Sequence, residues 1–168
     1  MKYLITGNLG YIGPVLCKFI KNIDPNSFIV GYDIGYFLNC EVASELEQEP
    51  PNLDIQIFGD VRDHFKLEKY IKDSDFVIHL AAISNDPMGA EFEKVTKTIN
   101  QDSSLFIAKK AIEHGCKAFV FASSCSVYGA GSDKPRTEND EVNPLTAYAK
   151  SKINTELNLG EIVNNNNT

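Results

Sequence analysis

A doubly wound α/β fold, a parallel sheet covered by helices on both faces, is the architecture this sequence predicts. Three observations predict it. Apolar stretches of strand length alternate with amphipathic stretches of helix length from residue 2 onward. A glycine trio, Gly7, Gly10 and Gly13, falls at the first strand-to-helix junction. An acidic residue, Asp33, ends the second strand, twenty residues past Gly13.

The elements follow in order. Lys2 to Thr6 is a buried strand, and Tyr11 to Asn22 a helix with apolar Ile12, Val15, Leu16, Phe19 and Ile20. Ser27 to Asp33 is the second strand. A polar loop bearing Glu41, Glu45, Glu47 and Glu49 then runs to Pro50 and Pro51 and reads as solvated. Leu53 to Phe58 is the third strand, Val61 to Lys72 a helix, and Asp75 to Leu80 the fourth strand. After the loop Ser84 to Gly89, one long helix is expected from Ala90 to His114, stopped by Gly115. Ala118 to Ala122 is the fifth strand. Pro144 and Thr146 open the last helix, which carries Tyr148 and Lys152. Right-handed crossovers, with a nucleotide crevice at the C-terminal end of the first strand, give the strand order 3-2-1-4-5. Residues 1–163 read as one dinucleotide-binding domain, and the Asn-rich residues 164–168 as a frayed tail.

The totals narrow the function. The 168 residues suffice for one core, and 43% apolar content is ordinary for a soluble globule. A net charge of −7 argues against nucleic acid or an anionic membrane as the main partner. No apolar run approaches the roughly 20 residues that span a bilayer. The chain opens directly on a strand, so no signal peptide is expected. Cys17, Cys40, Cys116 and Cys125 are scattered, which argues against a metal site or disulfide framework and suits a reducing cytoplasm.

Two groups of residues carry chemistry. The first is the glycine trio, spaced G-x-x-G-x-x-G. A turn needs a residue without Cβ, a pyrophosphate needs close backbone approach, and the following helix offers free N–H groups with partial positive charge. An ordinary glycine-rich turn is the plain alternative. Asp33 would accept hydrogen bonds from an adenosine ribose and repel a 2′-phosphate, favouring NAD over NADP; a strand-end cap is the alternative. The second group is Tyr148 and Lys152, four residues apart and on one helix face, with Ser123 and Ser124 upstream. A phenol of pKa about 10 acts as a base near neutrality only with help, and a nearby ammonium supplies it by favouring the phenolate.

T-G-x-x-G-x-x-G (Thr6 to Gly13), Asp33, G-D-V-R-D (Gly59 to Asp63), H-L-A-A (His79 to Ala82), Asn100, S-S-C-S-V-Y-G (Ser123 to Gly129) and Y-x-x-x-K together resemble the extended short-chain dehydrogenase/reductase family. Within it, the chain looks like the sugar-nucleotide epimerases and dehydratases, on a Rossmann-type sheet. The resemblance implies that Gly7, Gly10, Tyr11, Ile12, Gly13 and Asp33 bind NAD, with Asp60 and Val61 against the adenine. It implies that Leu80, Ala81 and Ala82 line the dinucleotide, and that Asn100 sits near it. Ser124 would hydrogen-bond the reacting oxygen, Tyr148 would be the base or acid, and Lys152 would hold the nicotinamide ribose and tune Tyr148, the trio converging beside the nicotinamide. Ser84 is a weaker substrate-side candidate.

Dehydratases of the family carry an acid just after the Ser or Thr; here Cys125 and Ser126 stand there, which disfavours dehydration. Cys125 is expected to be a small buried residue. His79 reads as a packed or hydrogen-bonded core histidine, His64 and His114 as surface helix residues.

Family members typically run to about twice this length. The C-terminal strands and substrate domain are therefore expected to be absent, the fifth strand an open edge, and the chain a truncated form or a fragment. The expected function is an NAD-dependent epimerase acting on a nucleotide sugar through transient oxidation of a hydroxyl. The alternatives are a non-catalytic dinucleotide-binding module, or a reductase or dehydratase of the same family. These 168 residues alone are expected to bind NAD and turn over poorly. A homodimer is expected through the long helix and the Tyr148 helix, with Phe92, Val95, Phe106, Ile153 and Leu157 on the outer faces.

Overall fold

Lys2–Thr6 (β1), Phe28–Asp33 (β2), Ile55–Phe58 (β3), Phe76–His79 (β4) and Ala118–Phe121 (β5) pair in parallel in the order β3-β2-β1-β4-β5, as the sequence predicts. The structure, a computed structural model, describes residues 1–36, 52–84, 91–130 and 134–166. The Glu-rich loop and the Ser84 to Gly89 loop beyond Ser84 lie outside the described residues. Helices are Gly13–Ile23 (α1), His64–Lys72 (α2), Glu93–Lys97 (α3), Ser103–Glu113 (α4) and Ala147–Asn166 (α5). The chain divides into two compact units. One is Met1–Ala81 with Phe106–Phe121; the other is Ala82–Leu105 with Ala122–Thr168.

The first unit contains the whole sheet. Side chains alternate across it, so Ile5 and Ile29 share a face and form a buried cluster with Cys17 and Ile20 of α1. Tyr32 points the other way, its ring centroid 6.1 Å from that of Tyr70 in α2. The sequence places five apolar residues on the first helix, and the structure sorts them. Gly13, Cys17 and Ile20 make the buried face and Leu16 packs against it, while Ile12, Val15 and Phe19 are exposed. The helix is apolar on two sides, and only the i, i+4, i+7 series meets the sheet.

α2 begins at His64 rather than Val61, because the Asp63 carboxylate accepts from Lys66 N–H and caps it there. His64 and His114 are not free surface residues. The His64 ring stacks on Phe106 of α4 with centroids 3.8 Å apart, and Glu68 of α2 lies 3.1 Å from both His114 Nε2 and Lys110 Nζ. Phe106, expected on an outer face, is thus engaged between α2 and α4. β5 is an edge of the sheet, with Val120 half exposed.

In the second unit the expected long helix is interrupted. Thr98–Asp102 forms a π-helical turn between α3 and α4. Such a wide turn needs other partners for its carbonyls, and hydroxyls supply them: Ser103 Oγ donates to Thr98 O at 3.0 Å and Ser104 Oγ to Asn100 O at 2.5 Å. α4 ends where predicted, with Gly115 at φ +73° and Cys116 N–H donating to Ala111 O at 2.9 Å. α5 is opened by Thr146, whose Oγ1 accepts from Ala149 N–H at 3.1 Å. It runs to Asn166, so the Asn-rich stretch begins inside the helix.

Candidate functional site

The phosphate-type turn lies in the first unit. Gly7 adopts φ +72°, and a Cβ there would sit 2.5 Å from Ala81 N. A Cβ at Gly13 would fall 2.2 Å from Asn8 O. Gly10 differs: an added Cβ meets only Gly7 O, at 3.3 Å, so the space above it is otherwise open. Gly7 and Gly13 are therefore glycines for internal reasons, whereas at Gly10 a Cβ would point into open space. α1 has no side-chain cap at Ile12, and Pro14 removes one N–H from its first turn. The remaining first-turn N–H groups are available to an anion. Tyr11 and Ile12 beside it are exposed.

Asp33 caps the end of β2, one of the two readings the sequence allows. Its carboxylate accepts from Leu9 N–H at 3.1 Å and Gly35 N–H at 2.7 Å. With about four lone-pair sites on a carboxylate, acceptor capacity remains for ribose hydroxyls. Asp60 is held by Arg62, whose Nη2 lies 2.5 Å from Oδ2. The bond to the Arg62 guanidinium keeps the Asp60 carboxyl below its usual range, and it keeps the guanidinium engaged. Val61 is buried. The Tyr32 hydroxyl donates to Asp60 O at 3.1 Å, and burial, aided by nearby Asp63 and Asp60, pushes its phenol up to about 12. Leu80 N–H donates to Thr6 O at 3.0 Å, and Ala81 N–H points to Thr6 Oγ1 at 3.5 Å. His79 is a buried core histidine, its Nδ1 2.6 Å from Thr6 Oγ1. The open space over Gly10, the uncapped helix start and the Asp33 carboxylate fit a dinucleotide whose ribose carries free hydroxyls.

The second unit holds Ser124, Tyr148 and Lys152, the residues expected from the sequence to do acid–base work. Lys152 is 4% exposed. Its Nζ donates to Ala122 O at 2.7 Å and lies 5.6 Å from the centroid of the Tyr148 ring. Burial pushes its ammonium down to about 8, against the pull of Glu156 in the other direction. Ser124 caps the 3-10 turn Cys125–Tyr128: its Oγ accepts from Ser126 N–H at 3.2 Å and lies 2.9 Å from Ser126 Oγ. That turn packs against α5, and Gly129 closes it at φ +75°. Cys125 is exposed, contrary to expectation, because the 3-10 turn points Val127 inward instead.

Asn100 is fully buried and fully used. Its Oδ1 accepts from Ile83 N–H at 2.8 Å, and its Nδ2 donates to Ile83 O at 2.9 Å and Ser151 Oγ at 3.2 Å. It fastens the segment after Ala82 to α5. Ser84 is exposed. The sequence reading passed over Glu156, whose carboxylate accepts from Ser123 Oγ. The signal was available, since Glu156 continues the four-residue series of Tyr148 and Lys152.

The chain is similar to known proteins in sequence and in fold. The NAD dependent epimerase/dehydratase family model matches residues 3–166. A UDP-glucose 4-epimerase of Pisum sativum is 29% identical over 160 residues, covering 90% of this chain and 45% of that protein. The crystal structure of UDP-glucose 4-epimerase from Bifidobacterium longum, in complex with NAD+ and UDP, superposes with a TM-score of 0.79 at 26% identity, covering 96% of this chain and 49% of that one. For the fold alone, the UDP-glucose-4-epimerase of Stenotrophomonas maltophila gives a TM-score of 0.83 at 22% identity, over 96% of this chain and 48% of that one. The chain spans less than half the length of each.

Proposed function

We propose a function for this chain from its family: it belongs to the NAD dependent epimerase/dehydratase family, and its residues support a 4-epimerase acting on a UDP-sugar. The observation that carries the reading is the buried Lys152 held beside Tyr148. Tyr148 and Lys152 share one helix face, so the ammonium sits close to the phenol ring. NAD, held by the glycine turn and Asp33, would supply a reversible hydride acceptor. Tyr148 would take the proton of the sugar hydroxyl and later return it to the same oxygen. Ser124 directs its hydroxyl at the same oxygen and stabilises the charge that develops there. Cys125 and Ser126 offer no strong acid for elimination of water, so epimerisation rather than dehydration is the reading.

A homodimer through α3 and α5 fits the exposure of Phe92, Val95 and Leu157, with Ile153 half-buried beside them. Phe106 does not belong to that face. Among the described residues no helix is long and apolar enough to cross a membrane. Free Cys17, Cys116 and Cys125 suit a reducing cytoplasm.

The test is the epimer ratio after incubation with NAD and a panel of UDP-, GDP-, CDP- and dTDP-sugars. Slow C4 interconversion of a UDP-sugar, removed by Tyr148→Phe, upholds the reading. Protein that binds NAD and converts none of them is the non-catalytic dinucleotide-binding module instead. Asp33→Ala is expected to weaken NAD about tenfold, the loss of one charge-assisted pair of ribose bonds, while leaving NADP affinity level or higher. Calorimetric titration with both dinucleotides checks it; tighter binding of NADP by the unaltered protein sinks the Asp33 assignment.

A further inference from the structure

We infer that Asn8 is a positioning residue for the dinucleotide: its amide, paired with Gln56 across the gap left by Gly31, holds the turn from Gly7 to Gly13 in the shape that leaves the N–H groups at the start of α1 open to a pyrophosphate. The inference rests on the reading that this turn binds NAD.

Asn8 sits inside the turn, yet it is 1% exposed. Its Nδ2 donates to Gln56 Oε1 at 2.6 Å, and Gln56 Nε2 donates back to Asn8 Oδ1 at 3.4 Å. Gln56 is fixed in turn, with Nε2 3.1 Å from Ile57 O. Register explains the meeting. Gly31 of β2 lies beside Gln56 of β3, so both face the same side of the sheet, and the missing side chain of Gly31 leaves a gap. Asn8 fills it: a Cβ on Gly31 would lie 2.4 Å from Asn8 Nδ2. On its other side, the Asn8 backbone lies under Gly13, where a Cβ would come within 2.4 Å of Asn8 Cα. One asparagine therefore requires glycine at two distant positions.

The neighbours complete a continuous tether. Gly7 N–H donates to Tyr32 O at 2.9 Å, Leu9 N–H to Asp33 Oδ2 at 3.1 Å, and Gly10 N–H to Gly7 O at 3.1 Å. Each residue from Gly7 to Gly10 is anchored, and Asn8 is the one anchored by its side chain. A buried amide without a partner costs about 1–3 kcal/mol, so the turn cannot shift away from β3 without exposing or orphaning that pair. A turn ordered beforehand loses no conformational entropy when the ligand arrives.

The experiment measures NAD affinity by calorimetry, and hydrogen exchange in NAD-free protein, for the unaltered chain, Asn8→Ala, Gln56→Leu, the double variant and Gln56→Glu. Asn8→Ala and Gln56→Leu are each expected to weaken NAD about five- to tenfold, and the double variant no further, because the two amides act as one pair. Exchange at the Leu9 and Gly10 amides quickens in both, while the Ile5 and Ile29 amides in the sheet keep their protection. Gln56→Glu still accepts from Asn8 Nδ2 and retains affinity within threefold. Affinity within twofold of the unaltered chain in Gln56→Leu overturns the inference. So does faster exchange spread evenly over the sheet, which is a stability effect and no positioning. Gln56 lies outside the turn, so its variants report even if Asn8→Ala fails to fold. An unaltered chain that does not bind NAD at all overturns the cofactor reading itself, and this inference with it.

Discussion

Gly7→Ala is expected to weaken NAD binding at least a hundredfold and to destabilise the chain by about 2–4 kcal/mol. The left-handed conformation costs a residue with Cβ about 1–2 kcal/mol. The new carbon would lie 2.5 Å from Ala81 N, 2.7 Å from Ala81 Cα and 2.8 Å from Leu80 C. These are backbone atoms held beside Thr6 by the Leu80 N–H bond to Thr6 O, so no rotamer change relieves the contact. Overpacking of this kind costs about 1–3 kcal/mol, and the stiffer unfolded chain returns only about 0.4–1 kcal/mol. Relief requires the turn to lift from the end of β4, which carries its N–H groups away from the ligand. Gly10→Ala is the contrast. Its Cβ meets only Gly7 O at 3.3 Å, so stability should change by less than about 1 kcal/mol while NAD affinity still falls, because the methyl occupies the ligand's approach. Urea unfolding and calorimetric titration of both variants check this. Gly7→Ala binding NAD within threefold of the unaltered chain would remove the turn from the site.

The order of the sheet was legible because one handedness rule and one glycine turn determine it, and neither depends on side-chain detail. The details that depend on distant partners were not. No Gly or Pro interrupts Ala90 to His114, yet the chain forms a π-helical turn at Thr98–Asp102. The carbonyl of Asn100 is taken by Ser104 Oγ and approached by Thr155 Oγ1 at 3.5 Å, and the Asn100 amide by Ser151. Two of those partners lie on a helix fifty residues later, and local pattern carries no trace of them. The same holds for Asn8 and Gln56, which are 48 residues apart. Cys125 reads as a small apolar residue after a strand, but the turn that follows is 3-10, and a three-residue step buries Val127 in its place. The meeting of Tyr148 and Lys152 was readable for the opposite reason. They lie on one helix four residues apart, so their proximity is a property of the helix alone.

Lys152→Met is expected to make the protein more stable while leaving it without epimerase turnover, a loss of about a hundredfold or more. The lysine is 4% exposed, and burial lowers its ammonium from 10.5 to about 8. At about 1.4 kcal/mol per unit, that displacement means about 3 kcal/mol of folding free energy forgone at neutral pH to keep the charge inside. Methionine matches the stem and has no charge to desolvate. It also loses the bond from the charged Nζ to Ala122 O, worth about 2 kcal/mol, so the net gain is about 1 kcal/mol at pH 7. The pH dependence gives the sign. Between about 8 and 10.5 the unfolded chain holds the Lys152 proton and the folded chain does not, so stability from this group rises with pH across that window. Below about 8 the full penalty is present; above 10.5 it is gone. The advantage of Lys152→Met should therefore be largest at pH 7 and shrink by pH 10, as read from urea midpoints at the two values. NAD affinity should change far less than turnover, because the glycine turn and Asp33 are untouched. A midpoint that falls in Lys152→Met at pH 7 would mean that the bond to Ala122 outweighs the buried charge. Lys152 would then be a clamp on the segment before Ser124 and not a charge held for Tyr148.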